Sequence, residues 1–519
     1  LAECSLPQLP ASLRAEIKLH AHQLHGVAWL QNLFGQVSHK VSGCLLADDM
    51  GLGKTLQLLC FIAWHLERQA QSGLPVLIVA PVSLLDNWER EFLRFFHTHG
   101  MPVLKLYGSA LSEVKLKREE IPASLKAQGI RNLLRPGWVG EAKIVLTTYD
   151  TLRDQELSLA RQKWSIVVCD EAQKIKNPAA LVTKAAKALQ ADFRVACTGT
   201  PVENSLTDLW CLFDFVQFGL LGALNDFGRT YRRPIECKTD ADNSALDTLR
   251  ALIEPQILRR MKEDVVDLPS KHEAQDCRAL GMSSMQDRLY RSELSKHAER
   301  AAILQKAGDR NIAVLGLLHS LKLVCAHPHA LRPEGDLLDV SPKMRWLMSQ
   351  LERIRTAGEK AILFTELRDI QRDLRLTIMD RFGLPDVPVV NGDTATSSAR
   401  GPNRQGIIDQ FQARQGFGVI ILSTAAVGFG VNVQAANHVI HFTRSWNPAK
   451  EDQATDRAYR IGQTREVHVY YPTVVSAQFE TFEYKLDVLL GKKRALASDM
   501  LNGAEDVDDD DACRWGFVS

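Results

Sequence analysis

Residues 43–55, GCLLADDMGLGKT, constrain the fold of this chain more than any other stretch. A short apolar run and two acids lead through a glycine-spaced turn to Lys54 and Thr55, and a pattern typical of a helix follows. This is the layout of a phosphate-binding loop, in which backbone N–H groups hold the phosphates, the lysine reaches the terminal oxygens and the hydroxyl binds Mg²⁺. Asp48 stands where the consensus GxxxxGK(S/T) has its first glycine, so a glycine-rich turn that binds nothing remains the alternative at this point.

Length and composition indicate a soluble protein of more than one domain. At 519 residues the chain is too long for one ordinary core. A hydrophobic fraction of 45% with 24% charged residues is typical of globular proteins, and no apolar run approaches the ~20 residues that span a bilayer. The ten cysteines lack CxxC or Cys/His spacing, which favours reduced thiols inside a cell over zinc ligands. Because the chain begins at Leu1, we expect it to be a piece of a longer protein.

Apolar runs alternate with helical patterns through the rest of the first half. This alternation predicts a parallel sheet whose ligands bind at the carboxyl ends of its strands. Asp170 and Glu171 directly follow one such run, a position from which Asp170 would bind Mg²⁺ and Glu171 would polarise an attacking water. A pair of acids on the surface is the alternative. The same α/β rhythm returns after Ser341, without a second phosphate loop.

Several quoted stretches resemble the motifs of one enzyme family. Gln23, DDMGLGKT, DEAQKIKN and TGTPVENSLTDLW resemble the Q motif and motifs I, II and III of superfamily 2 helicase-like ATPases, and more narrowly of the SNF2 (Swi2/Snf2) family. LIVAPVSLLDNWEREF and VLTTYDTL resemble motifs Ia and Ib, and STAAVGFGVNVQAANHVI and EDQATDRAYRIGQ resemble motifs V and VI. Motif V departs from its relatives in one place, since GFGVN stands where many have GxGLN.

The resemblance implies an α/β fold with two RecA-like lobes, which are parallel sheets flanked by helices, and helical SNF2-type insertions between them. It places lobe 1 at residues 1–220, helical protrusions and a linker at 221–335, lobe 2 at 336–490, and an acidic tail at 491–519. ATP and Mg²⁺ would bind in the cleft between the lobes.

The resemblance also implies roles for particular residues of this chain. A side-chain amide such as that of Gln23 can read an adenine edge because it donates and accepts at once. Arg457 and Arg460 would lie on one face of the motif VI helix and act as arginine fingers on the γ-phosphate. The implied catalytic residues are Lys54, Glu171, Arg457 and Arg460. The implied nucleotide-binding residues are Gln23, Asp49, Gly51, Gly53, Lys54, Thr55 and Gly430, and the Mg²⁺ ligands are Thr55 and Asp170.

Double-stranded DNA is the implied partner, although a net charge of +1 neither favours nor excludes nucleic acid. The contacts should be to phosphates and largely blind to sequence. The candidates are Thr147 and Thr148 in motif Ib, Ser423 and Thr424 in motif V, and the backbone near Pro81.

Charged and titratable groups in the middle and at the end of the chain have either a structural or solvated role or a functional one. Arg259, Arg260 and Lys262 are either a solvated helix face or contacts to DNA phosphate or to the opposite lobe. His327 and His329 flank a proline and favour a structural role over a metal site. The acidic run at residues 506–511 favours a solvated tail.

The predicted function is an ATPase that translocates on double-stranded DNA without separating its strands. A nucleotide-gated DNA clamp or scaffold and a strand-separating or RNA-directed helicase are the alternatives. The compact layout favours a bacterial or archaeal cytoplasmic protein with no membrane association, working with other subunits or with the remainder of a longer chain. Anti-phage defence, in a system such as Zorya or DISARM, is the preferred role; RNA polymerase recycling and nucleoprotein remodelling are the others.

Overall fold

The computed structural model describes most of the chain, with short gaps. The described residues are 6–37, 41–69, 73–203, 205–237, 244–265, 267–303, 307–331, 336–392, 394, 404–424, 432–460 and 462–502. They divide into two compact units, one made of the residues up to 265 together with those from Leu496 onward, and one from Asp267 to Ala495. The finer division at residues 220, 335 and 490 stays a prediction.

The first unit is built on a sheet of seven parallel strands in the order β3-β4-β2-β5-β6-β1-β7. The strands are β1 Gly43–Leu46, β2 Val76–Val79, β3 Val103–Leu106, β4 Ile144–Thr147, β5 Lys163–Asp170, β6 Gln190–Cys197 and β7 Ile257–Leu258. Along β2, Val76 and Ile78 belong to one buried apolar cluster and Leu77 and Val79 to another. Continuous apolar runs therefore form these strands because both faces of the sheet are covered.

Helices cover the two faces of this sheet and fill the connections between its strands. The α-helices are Ala21–Gly35, Lys54–Arg68, Val82–Phe95, Gly108–Val114, Ala123–Ala127, Tyr149–Asp154, Glu156–Arg161, Leu181–Lys187, Leu206–Val216, Leu224–Phe227, Arg233–Glu236, Ser244–Ile253 and Lys262–Val265. Short 3₁₀ turns lie at Ala172–Ile175 and Glu254–Gln256, and a π turn at Gly228–Arg232.

The second unit repeats this arrangement with six parallel strands in the order β11-β12-β10-β13-β14-β8, beside a pair β15-β9. The strands are β8 Lys271–Ala274, β9 Leu280–Gly281, β10 Lys360–Phe364, β11 Val389–Val390, β12 Gly418–Leu422, β13 His438–His441, β14 Val467–Tyr470 and β15 Val474–Val475. The helices are Ser284–Ile303, Ala307–Ala326, Leu337–Val340, Pro342–Thr356, Arg368–Phe382, Arg404–Ala413, Pro448–Thr455 and Phe482–Asn502, with a 3₁₀ turn at Pro328–Ala330. The predicted α/β fold with two parallel-sheet lobes is confirmed. Among the described residues, no helix is both long and apolar enough to cross a bilayer.

A buried ionic cluster around Tyr471 holds the short helix Pro448–Thr455 in the second unit. The side chain of Glu451 has no exposed surface and accepts from Nε and Nη2 of Arg444 at 2.9 and 3.0 Å. Arg494 donates to Glu451 at 2.9 Å, and the guanidinium carbons of Arg444 and Arg494 lie 4.3 and 5.2 Å from the centre of the Tyr471 ring. Burial alone would raise the pKa of Glu451, but the Arg444 charge outweighs it and lowers that pKa to about 2.

Arg444→Ala is expected to lower the free energy of unfolding by about 3–5 kcal/mol, because it leaves the Glu451 carboxylate buried with its two-bond guanidinium partner removed. Arg375→Ala is the matched control: Arg375 is paired at 2.8 Å with Asp386 in an ion pair whose side chains are 47% and 40% exposed. That loss should be below about 1 kcal/mol. Urea unfolding of the two variants checks both values, and equal losses would contradict the structural role given to the cluster.

His441 makes the stability of the second unit sensitive to acid. Its ring is stacked between Phe364 and Tyr471, with ring centres 5.2 and 5.0 Å away, and its Nε2 lies 2.9 Å from Oγ1 of Thr455. Burial lowers the pKa of His441 to about 3. The unfolded chain therefore binds a proton as pH falls below about 6.5, whereas the folded chain does not until about pH 3. The stability from this group is present above pH 6.5 and is lost as the pH falls.

Between pH 7 and pH 5 the wild type should lose about 2 kcal/mol more stability than His441→Phe, which keeps the stacking but cannot titrate. Urea midpoints at the two pH values measure the difference. Equal losses of stability in the two proteins would show that protonation of His441 does not contribute to the destabilisation by acid.

Candidate nucleotide site and candidate DNA contacts

The phosphate loop connects β1 to the helix Lys54–Arg68, as predicted. Gly51 and Gly53 have φ of 86° and 75°, in the left-handed region that side chains disfavour. A Cβ on Gly53 would also come within 2.3 Å of Nε2 of Gln23. The described helix that follows has no side chain capping its N-terminus. Its first N–H groups thus have no side-chain competitor for a phosphate.

Lys54 is directed back across its own loop. Its Nζ donates to the carbonyl oxygens of Asp48 and Asp49 at 2.7 and 3.1 Å. A Cβ built on Gly199, in the TGTP stretch, would lie 3.7 Å from the same Nζ. The lysine therefore stands between the loop and motif III, with carbonyl contacts that a phosphate oxygen can replace.

Strand register brings the acidic pair to this loop. Asp170 is opposite Cys197, and Cys197 is opposite Leu46, the last residue of β1. The carboxyl ends of β5, β6 and β1 therefore form one row, with the acids at one end and the phosphate loop at the other. This is the edge at which ligands bind in parallel sheets.

The Asp170 carboxylate is held by two donors. Oδ2 accepts from Nε1 of Trp88 at 2.8 Å and Oδ1 from the backbone N–H of Glu171 at 2.9 Å. Burial, and then the neighbouring Glu171 charge, raise the pKa of Asp170 to about 6. A buried carboxylate with spare lone pairs, and with no arginine paired to it among the residues that the structure describes, is a hard oxygen ligand of the kind that Mg²⁺ takes.

Glu171 is the one residue other than glycine with a positive φ in the described parts of the chain, at 51°. Its Oε2 accepts from Nε2 of Gln173 at 2.6 Å, and Oε1 of Gln173 accepts from the Thr198 hydroxyl at 2.8 Å. A strained backbone and a fixed hydrogen-bond partner therefore hold this carboxylate in place. Neither Gln173 nor Trp88 was assigned a role from sequence, although both lie within the quoted motifs.

Gln23 lies against the loop, with both ends of its amide in use. Its Oε1 accepts from the backbone N–H of His20 at 3.0 Å, and its Nε2 donates to the Leu52 carbonyl at 3.3 Å. The residue is 5% exposed. Reading of adenine by Gln23 stays a prediction, and the structure adds a second task, which is to support the turn at Gly53.

The structure corrects the interpretation of Arg260 and Lys262 as a solvated helix face or as DNA contacts. Arg260 forms a bidentate pair with Asp48, with Nε 2.9 Å from Oδ1, and Lys262 Nζ lies 3.7 Å from Oδ2 of Asp49. Their side chains are 12% and 4% exposed. Both groups therefore contact the phosphate loop of their own unit and are neither a solvated face nor a DNA contact. Sequence could not show this, because Asp48 and Arg260 are 212 positions apart.

The four threonine and serine candidates for DNA differ in accessibility. Thr147 is fully buried and its hydroxyl donates to the Leu106 carbonyl at 3.0 Å, so no exposed hydroxyl supports a phosphate contact there. Thr148 is half-buried and caps the helix Tyr149–Asp154. Ser423 is 3% exposed, and the Thr424 backbone N–H donates to Oε1 of Glu366 at 2.5 Å. All four stay predictions, with Thr148 and Thr424 the more accessible.

The motif VI arginines lie beyond the helix that was predicted to carry them. The helix Pro448–Thr455 ends before Asp456, and Arg457 and Arg460 are in the turn and bend that follow. Both are half-buried. The expectation of one shared helix face is therefore wrong, because the backbone leaves the helix at Asp456.

Gln463 secures this turn. Its Nε2 lies 3.0 Å from the Ala458 carbonyl and 3.1 Å from that of Gln434, and its Oε1 accepts from the Thr464 N–H at 3.0 Å. Gly430 and the acidic run at 506–511 lie outside the described residues. Within the described part of the chain, no three His, Cys, Asp or Glu side chains are grouped to hold a metal.

Two family models match the chain. The SNF2-related domain matches residues 22–330, and the helicase conserved C-terminal domain matches residues 342–462. The first match covers more than half of the chain, so the chain belongs to the SNF2 family of helicase-like ATPases. The predicted family is confirmed.

Among the relatives, the chain is 60% identical over 503 residues to the Zorya protein ZorD of Escherichia coli O139:H28, covering 96% of this chain and 46% of that protein. It is 34% identical over 498 residues to the putative ATP-dependent helicase/translocase YwqA of Bacillus subtilis, covering 95% and 50%. The chain thus spans about half the length of these relatives. A solved structure, the Sulfolobus solfataricus SWI2/SNF2 ATPase core in complex with dsDNA, is 32% identical over 95% of each chain, with a TM-score of 0.43.

Proposed function

We propose that this chain is the ATP-hydrolysing motor of a double-stranded DNA translocase. The observation that carries the proposal is the row formed by the carboxyl ends of β5, β6 and β1, which aligns Asp170 with the phosphate loop. Membership of the SNF2 family supports nucleotide use. The assignment of first-unit residues is supported by the geometry of that unit, and the assignment of Arg457 and Arg460 by the resemblance of their sequence to motif VI.

In this proposal each predicted site residue has one task. Lys54 leaves the carbonyls of Asp48 and Asp49 and neutralises the terminal phosphate oxygens. Thr55 and Asp170 would hold Mg²⁺, which would supply positive charge beside the phosphate oxygens. Glu171, oriented by Gln173, takes a proton from the attacking water. Arg457 and Arg460 of the second unit add the charge that stabilises the transition state.

Duplex DNA is the proposed track, bound through phosphates. The family supports this choice, and one relative bears the name helicase/translocase. Thr148 and Thr424 are the proposed hydroxyl contacts. Phosphate contacts should show little sequence preference, and lysine or arginine side chains that neutralise phosphates alongside these hydroxyls should make the DNA affinity fall with salt.

The proposed biological role is anti-phage defence. It rests on 60% identity to the Zorya protein ZorD over nearly all of this chain. Because the match covers 46% of that relative, its partners and its complete activity are carried over here only as a proposal. A cytoplasmic location and work alongside other protein subunits belong to the same proposal.

Steady-state ATP hydrolysis tests the motor with no nucleic acid, single-stranded DNA, duplex DNA or duplex RNA added. Duplex DNA should stimulate hydrolysis most, and salt should suppress that stimulation. Glu171→Gln should show no stimulation by DNA, and therefore no effect of salt on it. Equal hydrolysis in every tube would remove DNA from the proposal. Release of a labelled strand from a partial duplex would instead favour a strand-separating helicase, and tight DNA binding without turnover would favour a nucleotide-gated clamp.

A further inference from the structure

The chain leaves the first sheet alongside the phosphate loop. After β7 pairs with β1, the Ala47 N–H donates to the Leu258 carbonyl at 2.7 Å and the Asp49 N–H to the Arg260 carbonyl at 2.9 Å. Residues 257–262 therefore continue the sheet pairing beyond the end of β7, and they fix the backbone of the loop at Ala47 and Asp49, on either side of Asp48. We call residues 257–262 the exit segment.

The exit segment also supplies a cation to each acid of the loop. Arg260 pairs with Asp48, whose side chain has no exposed surface, and Lys262 lies beside Asp49. Gln57 bridges the first pair, because its Nε2 donates to Oδ2 of Asp48 at 3.2 Å and its Oε1 accepts from Nη2 of Arg260 at 3.0 Å. Two consecutive carboxylates at a phosphate site are thus each matched by a positive group.

The first of these acids occupies the place of a consensus glycine. Left without a cation, the Asp48 carboxylate would put a buried negative charge in a loop whose ligand is also negative. The Arg260 guanidinium also contacts the carbonyl oxygen of His22, in the helix Ala21–Gly35. One side chain therefore joins the loop, the helix after it and the helix that carries Gln23.

We propose that Arg260 is a positioning residue for the nucleotide, which neutralises Asp48 and holds the phosphate loop in the shape that accepts phosphate. The inference rests on the proposed ATPase function and deepens it: the phosphate site is completed by the exit segment, about 200 residues downstream of the loop. The phosphate-loop motif and the acidic pair at the end of β5 would then not be sufficient for nucleotide binding without Arg260.

The test is the affinity for ADP with Mg²⁺, measured by calorimetry well below the unfolding temperature. Arg260→Gln should raise the dissociation constant about tenfold or more, as expected if a tenth or less of the loops stay competent. Adding Asp48→Asn to Arg260→Gln should restore affinity to within about threefold of wild type, since the carboxylate that needed the guanidinium is gone. Arg229→Gln, in an exposed ion pair with Asp226 of the same unit, is the matched control and should bind as the wild type does.

Restored ADP affinity in the double variant would separate the positioning role of Arg260 from a loss of packing, since a second substitution in the same cluster would not repair a damaged fold. Wild-type affinity in a folded Arg260→Gln would overturn the inference. If Arg260→Gln fails to fold, the double variant decides alone, and weak ADP binding by a folded double variant would overturn it. A wild-type chain that binds no ADP would instead remove the proposed function, and the inference with it.

Discussion

Glu171→Gln is expected to lower kcat for ATP hydrolysis by ~10²–10⁴-fold and to leave the affinity for ADP close to that of the wild type. The amide keeps the shape of the side chain and can still meet Gln173, but it cannot accept a proton from water. Binding should survive because Lys54, Thr55 and the loop backbone are untouched. Phosphate release under saturating ATP measures the first quantity and calorimetry the second.

Glu156→Gln serves as the matched control, since Glu156 is an exposed acid in the first turn of the helix Glu156–Arg161. It should hydrolyse ATP at the wild-type rate. Turnover by Glu171→Gln at the same rate as this control would mean that another group activates the water, and the strained backbone at Glu171 would need a different explanation.

Arg457→Ala and Arg460→Ala are each expected to lower kcat by up to ~10³–10⁵-fold, the range found when an arginine finger is removed from phosphoryl-transfer enzymes. The physical reason is charge: the guanidinium stabilises the charge distribution over the γ-phosphoryl oxygens in the transition state more than the distribution in the ground state. The loss should therefore fall on kcat and spare ADP binding. Lysine at either position should rescue poorly, because the planar guanidinium binds two oxygens at once.

Arg381→Ala is the control for these two variants. Arg381 is exposed in the last turn of the helix Arg368–Phe382 of the same unit, and its loss should change neither kcat nor binding. A higher KM with unchanged kcat in Arg457→Ala or Arg460→Ala would assign these arginines to ground-state binding and contradict the finger hypothesis.

The phosphate loop and the acidic pair could be predicted from sequence because their geometry is local. Gly51 and Gly53 supply the left-handed turns, and Asp170 is the last residue of a buried strand, so spacing along the chain is enough to place them. The two parallel sheets were predictable for a similar reason, since an apolar run buried on both faces leaves its mark in consecutive residues.

Arg260, Trp88 and the end of the motif VI helix depended on tertiary structure. Arg260 finds its partner across 212 positions and Trp88 finds Asp170 across 82, which no local pattern encodes. The helix Pro448–Thr455 stops although the next residues could continue it, and Gln463 stabilises the turn that replaces it. Tertiary contacts, which no local pattern encodes, therefore determine both the ion pair of Arg260 and the position of the motif VI arginines.

The Tyr471 cluster sets a lower limit on how far the second unit can be shortened. Arg494 lies in the helix Phe482–Asn502 and donates to both Glu451 and Asp452 at 2.9 Å. A fragment ending before Arg494 would remove one guanidinium from the buried Glu451 and from Asp452, whose side chain is 48% exposed, beside the turn that carries Arg457. Proteolysis or gene truncation within this helix should therefore damage the arginine turn from a distance, and a stable recombinant second unit must include Arg494.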